Sequence, residues 1–220
     1  MESFLARPKE AKTCLLCYHV SGGIIMSKKV ILLLAEGFEE VEAVTPIDYL
    51  RRAGIQVTTA ALGKGLVVDG AHGIKMTADA SLEDLFQTGI LADNWDAVVL
   101  PGGLPGADNL AASKETGAFL LEMARAGKWI CAICAAPARV LSPLGLLSGK
   151  KFTCFPGEEE KVLSPSSASS GAQWKEDRVV VDGRFITSRG AGTAGEFACA
   201  IIEKLSGEGE GEKIAGRVLL

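Results

Sequence analysis

What this chain lacks narrows its function before any motif is read. Aromatic residues make up only 6% of it against 48% hydrophobic overall, which points to aliphatic, sheet-centred packing. There is no basic block or stripe to neutralise a phosphate backbone, and with a net charge of -4 of mixed signs nucleic acid is not an expected partner. No run approaches the roughly 20 apolar residues that span a bilayer, so no membrane partner is expected either. No phosphate-binding G-x-x-x-x-G-K occurs. Histidine is limited to His19 and His72, so an ordinary Cys–His dyad within one chain has little support. The six cysteines include the pairs Cys14/Cys17 and Cys131/Cys134, but neither pair has a flanking His or a second pair at zinc spacing. Neither metal nor organic cofactor is expected. Six cysteines in 220 residues are also too sparse for a secreted disulfide framework, and a reducing cytoplasm fits them better.

The first 25 residues match nothing downstream and make a poor signal peptide. Gly22-Gly23 can be encoded by a purine-rich stretch two codons before Met26, where a bacterial ribosome-binding site would lie. Residues 1–25 are therefore expected to be a misannotated, non-native leader ahead of a true start at Met26. Residues 26–206 are expected to form one domain, followed by a C-terminal tail or short helix over 207–220.

From Lys28 onward, short β-rich runs alternate with helical segments, the pattern of an α/β fold with a mostly parallel central sheet and helices on both faces. "KKVILLL" leads into a helix from about Glu39 to Ala53 closed by Gly54. "QVTTAAL", a short pair around "GLVV" and "GIKMT", and "DAVVLPGG" follow. "SKETGAFLLEMARAG" offers Ser113 as N-cap and Gly127 as stop, and "KWICAI" is a buried strand. "AAPARVLSPLG" reads as helix, "KFTCF" as strand, "RVVVDGRFITS" as a hairpin turned at Asp182-Gly183, and "AGEFACAIIEKL" as a last amphipathic helix. "SGEGEGEK" reads as a solvated linker or tail, and "GAGTAGE" as a close-packing loop.

Open α/β sheets bind ligands at the carboxyl ends of their strands, which selects "AEGFEEVE", "LPGGLPGADN" and "CAICAAPA". In the last of these Cys134 stands at a strand-to-helix turn among small residues, like a nucleophile elbow with Cys in place of Ser. A helix N-terminus there favours thiolate. Cys131, inside the strand, and Cys154 and Cys199 read as packing residues. Two glycines in "LPGG" allow backbone N–H groups to approach a bound oxygen. Of the acids after the first strand, Glu39 and Glu40 are expected to stay solvated at the helix start. Glu42 is expected to turn toward Cys134 with a pKa raised by burial, able to hold and move a proton.

The stretches "AEGFEEVEAVTPIDYLRRAGIQV", "DASLED", "DAVVLPGG", "CAICAAPA" and "ITSRGAGTAGEFA" together resemble the ThiJ/PfpI superfamily, in its branch containing the parkinsonism-associated protein deglycase and bacterial relatives. The resemblance spans Lys28 to about Leu205. It implies a flavodoxin-like three-layer α/β/α sandwich, a homodimer, an essential cysteine at Cys134, and a protonated carboxylic acid at Glu42. It also implies an oxyanion site from Gly102, Gly103 and the backbone of Ala135. Ala135 stands where protease-like and chaperone-like members have His, which removes a catalytic triad and peptidase activity with it. Phe155 stands where animal relatives have His. His72 stands where they have an Arg reaching the site from the partner subunit, so a base supplied in trans is an expectation for it. Arg52 matches an Arg near the dimer interface of the relatives. The function implied is a cofactor-free, cysteine-dependent enzyme acting on small dicarbonyls or on early glycated amines and thiols, of deglycase or glyoxalase-III type. The alternative is a redox-sensing or chaperone-like binding protein that uses oxidation of the same cysteine.

Overall fold

The computed structural model describes residues 27–63, 65–89 and 92–220. The leader, with Cys14, Cys17, His19 and the start at Met26, lies outside the described residues.

Strand β1 (Lys29–Leu34) shows how this sequence builds two cores at once. Side chains of a strand alternate between faces, and here both faces are apolar. Ile31 and Leu33 enter one cluster, and Val30, Leu32 and Leu34 the other. Around it lie β2 (Gln56–Ala61), the two-residue β5 (Ala80–Ser81), β6 (Ala97–Leu100), β7 (Trp129–Ile133), β10 (Val179–Asp182) and β11 (Phe185–Ser188). The sheet order is β10-β11-β7-β6-β1-β2-β5, with every pairing parallel except β10 on β11.

One face of the sheet carries α1 (Glu40–Arg52) and α6 (Ala194–Ser206), through Ala43, Ile47 and Leu50 and through Phe197, Ile201 and Ile202. The other carries α2 (Leu82–Gln87), α3 (Gly106–Ala112) and α4 (Lys114–Arg125), through Leu82, Leu110, Phe119, Leu120 and Met123. The result is the expected flavodoxin-like three-layer sandwich. A separate hairpin pairs β3 (Val67–Asp69) with β4 (Lys75–Thr77), and a Phe38–Gly70 bridge ties it to the start of α1.

The boundaries of the long elements follow their caps. Ser113 accepts from the Thr116 N–H at 3.0 Å to open α4, and Gly127 closes it at φ 66°. Gly54, at φ 78°, closes α1. Three expectations are corrected. The helix read over "AAPARVLSPLG" is one π-helical turn, Pro137–Leu141, followed by turns, because Pro143 has no N–H to continue it and Gly145 at φ 69° redirects the chain. The strand "KFTCF" shortens to β8 (Lys151–Phe152), paired with β9 (Gln173–Trp174) outside the main sheet. Its continuation makes other bonds: the Thr153 N–H donates to Thr187 Oγ1 at 2.9 Å and the Phe155 N–H to the Cys134 carbonyl at 2.8 Å. After the short α5 (Glu159–Leu163), the last correction concerns the solvated reading of "SGEGEGEK": it leads into α7 (Glu210–Val218), the short helix that was one of the two expectations over 207–220, which buries Ile214 against α6.

Candidate active site

Strands β7, β6 and β1 are neighbours in the sheet and run parallel, so the three loops that follow them meet at one edge. Cys134 follows β7 directly. Its N–H donates to the Ser188 carbonyl at 2.9 Å and its carbonyl accepts from Phe155, which holds the backbone at φ 64°. A non-glycine residue in that left-handed region is strained, and the strain turns the chain sharply enough to lift the thiol to the sheet edge.

From β1 comes Glu39, the N-cap of α1, whose Oε2 accepts from the Glu42 N–H at 2.7 Å. Glu42 itself is fully buried. From β6 comes Gly102, whose N–H donates to Glu42 Oε2 at 2.8 Å and whose carbonyl accepts from the Glu39 N–H at 3.0 Å. A Cβ on Gly102 would stand 2.6 Å from Cys134 Cβ and 2.8 Å from Glu42 Oε2, so only glycine fits between the two side chains.

Burial raises the Glu42 pKa to about 7, helped by the charge of Glu39 and opposed by hydrogen bonds from Gly102 and with Cys134. Its Oε1 is buried and has no hydrogen-bond partner. Burial also pushes the Cys134 thiol well up, and the charge and hydrogen bond of Glu42 push it further, while the N–H groups of Gly103 and Ala135 pull it down. Burial and the Glu42 carboxylate thus oppose the thiolate that the sequence expects at the elbow, while the Gly103 and Ala135 N–H groups favour it. Whichever member of the pair carries negative charge makes the other hold its proton more tightly. Cys131 is completely buried, with its thiol pushed far up by burial alone.

The oxyanion group divides. Gly102 has its N–H taken by Glu42, whereas the N–H groups of Gly103 and Ala135 face the sulfur. Gly103, at φ 86°, packs so closely that a Cβ would meet Glu39 N at 2.4 Å.

Glu40 is not solvated, contrary to the sequence reading. Burial raises its pKa, but the His72 side chain and the backbone N–H groups of His72 and Ile74 outweigh that and hold it below the usual carboxylate range. His72 Nδ1 lies 2.8 Å from Glu40 Oε2 and 4.0 Å from Glu39 Oε1. The Glu40 hydrogen bond raises the His72 pKa. The largest influences on the Cys134 thiol come from burial, from Glu42 and from the Gly103 and Ala135 N–H groups. Ligand atoms of Glu39, Glu40 and His72 all lie within 4.8 Å of one another. Imidazole and carboxylate satisfy each other there, so a cation would have to displace the Nδ1 proton. Arg52 sits at the end of α1 in an exposed pair with Asp48 at 2.7 Å.

Two residues of the site were given no role by the sequence. Phe155 is half exposed beside the elbow, and Arg139, five residues after Cys134, grips Glu158 through Nε and Nη2 at 2.9 and 2.8 Å and Asp108 through Nη1 at 2.7 and 2.9 Å. Arg139 carries no local signal beyond being a charge on a short apolar segment.

The sequence matches the DJ-1/PfpI family over residues 28–204. Protein DJ-1 homolog B of Arabidopsis thaliana is 39% identical over 194 residues, which cover 88% of this chain and 42% of that protein; the chain thus spans less than half of that relative's length. Protein dj-1beta of Drosophila melanogaster is 39% identical over 195 residues, covering 89% of this chain and 98% of that one. The crystal structure of Drosophila DJ-1beta superimposes with a TM-score of 0.79 at 38% identity, over 89% of this chain and 99% of that chain. A deglycase of Pyrococcus abyssi is 30% identical over 161 residues, 73% of this chain and 89% of the relative.

Proposed function

The chain belongs to the DJ-1/PfpI family, and from that premise we propose that it is a cysteine-dependent, cofactor-free enzyme that converts small 2-oxoaldehydes, free or as early glycation adducts, to 2-hydroxy acids. The observation that carries the reading is the buried Glu42 carboxyl, with a pKa near 7, in side-chain contact with a strained, edge-mounted Cys134. A group that ionises near neutral pH both accepts and returns a proton readily. The relative named as a deglycase supports the reaction class. With Ala135 after the elbow cysteine, no His completes a triad, and peptidase chemistry is not part of the proposal.

The steps balance without an external oxidant or reductant. Glu42, as carboxylate, takes the thiol proton as Cys134 Sγ bonds to the aldehyde carbon, and passes it to the carbonyl oxygen, giving a hemithioacetal. The N–H groups of Gly103 and Ala135, which face the sulfur at rest, then face an oxygen two bonds from it. Glu42 carries the proton from the former aldehyde carbon to the neighbouring carbonyl oxygen, and then the hydroxyl proton of the first carbon to the second. The product is a 2-hydroxy thioester. Water cleaves it, releasing lactate from methylglyoxal or glycolate from glyoxal and restoring the thiol.

We also infer a homodimer. Val41 and Val44 on α1, and Leu66, Val67 and Ile74 on the hairpin tied to it, are large apolar side chains left at least two-fifths exposed. Lactate formation by the purified protein, followed alongside its Cys134→Ser variant, tests the enzyme reading. Product well in excess of protein supports it, whereas one modification per protomer followed by silence would establish the redox-sensing alternative.

A further inference from the structure

Phe155 is a large aromatic side chain left half exposed, and its backbone is held by hydrogen bonds at both its N–H and its carbonyl. Its N–H donates to the Cys134 carbonyl at 2.8 Å, so its backbone is clamped to the nucleophile's own peptide. Its carbonyl accepts from the Glu158 N–H at 3.0 Å. The Glu158 carboxylate is in turn held in a two-bond fork by Arg139 of the elbow turn, whose remaining nitrogen grips Asp108 of α3, the helix entered from the Gly102–Gly103 loop. Planar two-bond Arg–carboxylate contacts fix orientation as well as distance. The loops bearing Cys134, Gly103 and Phe155 are thereby cross-braced.

Gly190 shows where the ring stands relative to the acid. A Cβ built there would lie 3.5 Å from Phe155 Cδ2 and 3.9 Å from Glu42 Oε1, so the ring edge and the unpartnered carboxyl oxygen border one small space. The Gly190 backbone is extended at φ 165°, a conformation open to any residue, so the consequence of glycine here is the missing side chain. That space has an apolar wall on one side and the proton-handling group on the other.

We propose that Phe155 is the specificity-determining wall of the Cys134 site and selects carbonyl compounds with an apolar substituent, such as methylglyoxal and phenylglyoxal, over glyoxal. The substrate class rests on the dicarbonyl reading above, whereas the wall itself does not. An apolar pocket distinguishes one methyl-sized group by roughly 10-fold or more.

Two ratios test it. The first is kcat/KM for phenylglyoxal over glyoxal, in the unaltered protein and in Phe155→Ala, Phe155→Asn and Phe155→Leu. Alanine and asparagine are expected to lower the ratio about 3- to 10-fold, and leucine to retain most of it. The second needs no turnover: the rate of Cys134 alkylation by N-benzyl-iodoacetamide over that by iodoacetamide, which should fall in the same variants in the same order. A fall in the alkylation ratio without dicarbonyl turnover upholds the wall and removes the enzyme reading. An alkylation ratio unchanged in Phe155→Ala overturns the wall, whatever the turnover.

Discussion

At the scale of single residues, the proposed chemistry falls to Glu42 and Cys134 by their burial and contact. Glu42→Gln keeps a donor beside the sulfur but cannot exchange a proton, so turnover should fall by about 100-fold or more while Cys134 still alkylates. Cys134→Ser should abolish turnover and Cys131→Ser leave most of it, since only the former reaches the edge; equal loss would point to a redox pair. The Glu42 pKa also writes itself into stability. Because it is raised in the folded state, folding takes up protons between the ordinary value of 4.5 and about 7, and stability falls as pH rises through that window. The shift corresponds to roughly 3 kcal/mol. Denaturant titrations at pH 5 and pH 8 should show Glu42→Gln gaining on the parent at the higher pH, and a pH-independent difference would contradict the assignment. His72 has the opposite partner arrangement. Its raised pKa means that the Glu40 contact stabilises fully below about 6.5 and is lost as pH rises through the folded value, so the destabilisation by His72→Ala should shrink at high pH. A His72 imidazole titrating by NMR at or below 6.5 would contradict this. Of these residues, Cys134 and Glu42 were legible because motif and spacing put them at strand ends. The burial of Glu40 was not, because it depends on the hairpin of β3 and β4 folding back to supply His72 and Ile74 N–H groups from more than thirty residues away.

At the scale of elements, the site is a meeting of three strand-to-helix turns, and glycine decides how closely they meet. Gly102→Ala would drive a methyl group between Cys134 and Glu42. The variant should lose about 1–3 kcal/mol in denaturant unfolding and most of its turnover. A stable, active Gly102→Ala protein would mean that the two side chains stand further apart than described. Elements with their own caps were readable from sequence: α1 and α4 end where Gly54 and Gly127 place them, and Gly183 at φ 59° turns the β10–β11 hairpin. The segment after the elbow was not, since its apolar periodicity suits a helix while its actual course is set by Cys134 and Arg139 reaching to Phe155, Glu158 and Asp108.

At the scale of the whole molecule, the alternation of β-rich and helical segments made the sandwich legible, because a sheet buried on both faces writes near-continuous apolar runs such as "VILLL". For the C-terminal segment a short helix was one of two readings over 207–220, but its packing was not legible. Glycine and glutamate in "SGEGEGEK" suggest solvent, yet the Gly209 and Gly211 N–H groups donate to Glu203 of α6 at 2.7 and 2.9 Å, and Gly211 approaches the Cys199 carbonyl too closely for a side chain. Truncation after Ser206 should therefore lower the melting temperature, and an unchanged value would mark α7 as dispensable. The exposed apolar side chains of α1 and the hairpin should be covered in a dimer, so Val44→Glu should shift sedimentation toward the monomer. The central claim, that Glu42 and Cys134 together turn over 2-oxoaldehydes, is tested most directly by D-lactate and L-lactate counted per protomer from methylglyoxal with purified protein. Many equivalents of lactate are expected from the unaltered chain and none above background from Cys134→Ser, whereas at most one equivalent of modified protein and no lactate would rule out turnover by this pair.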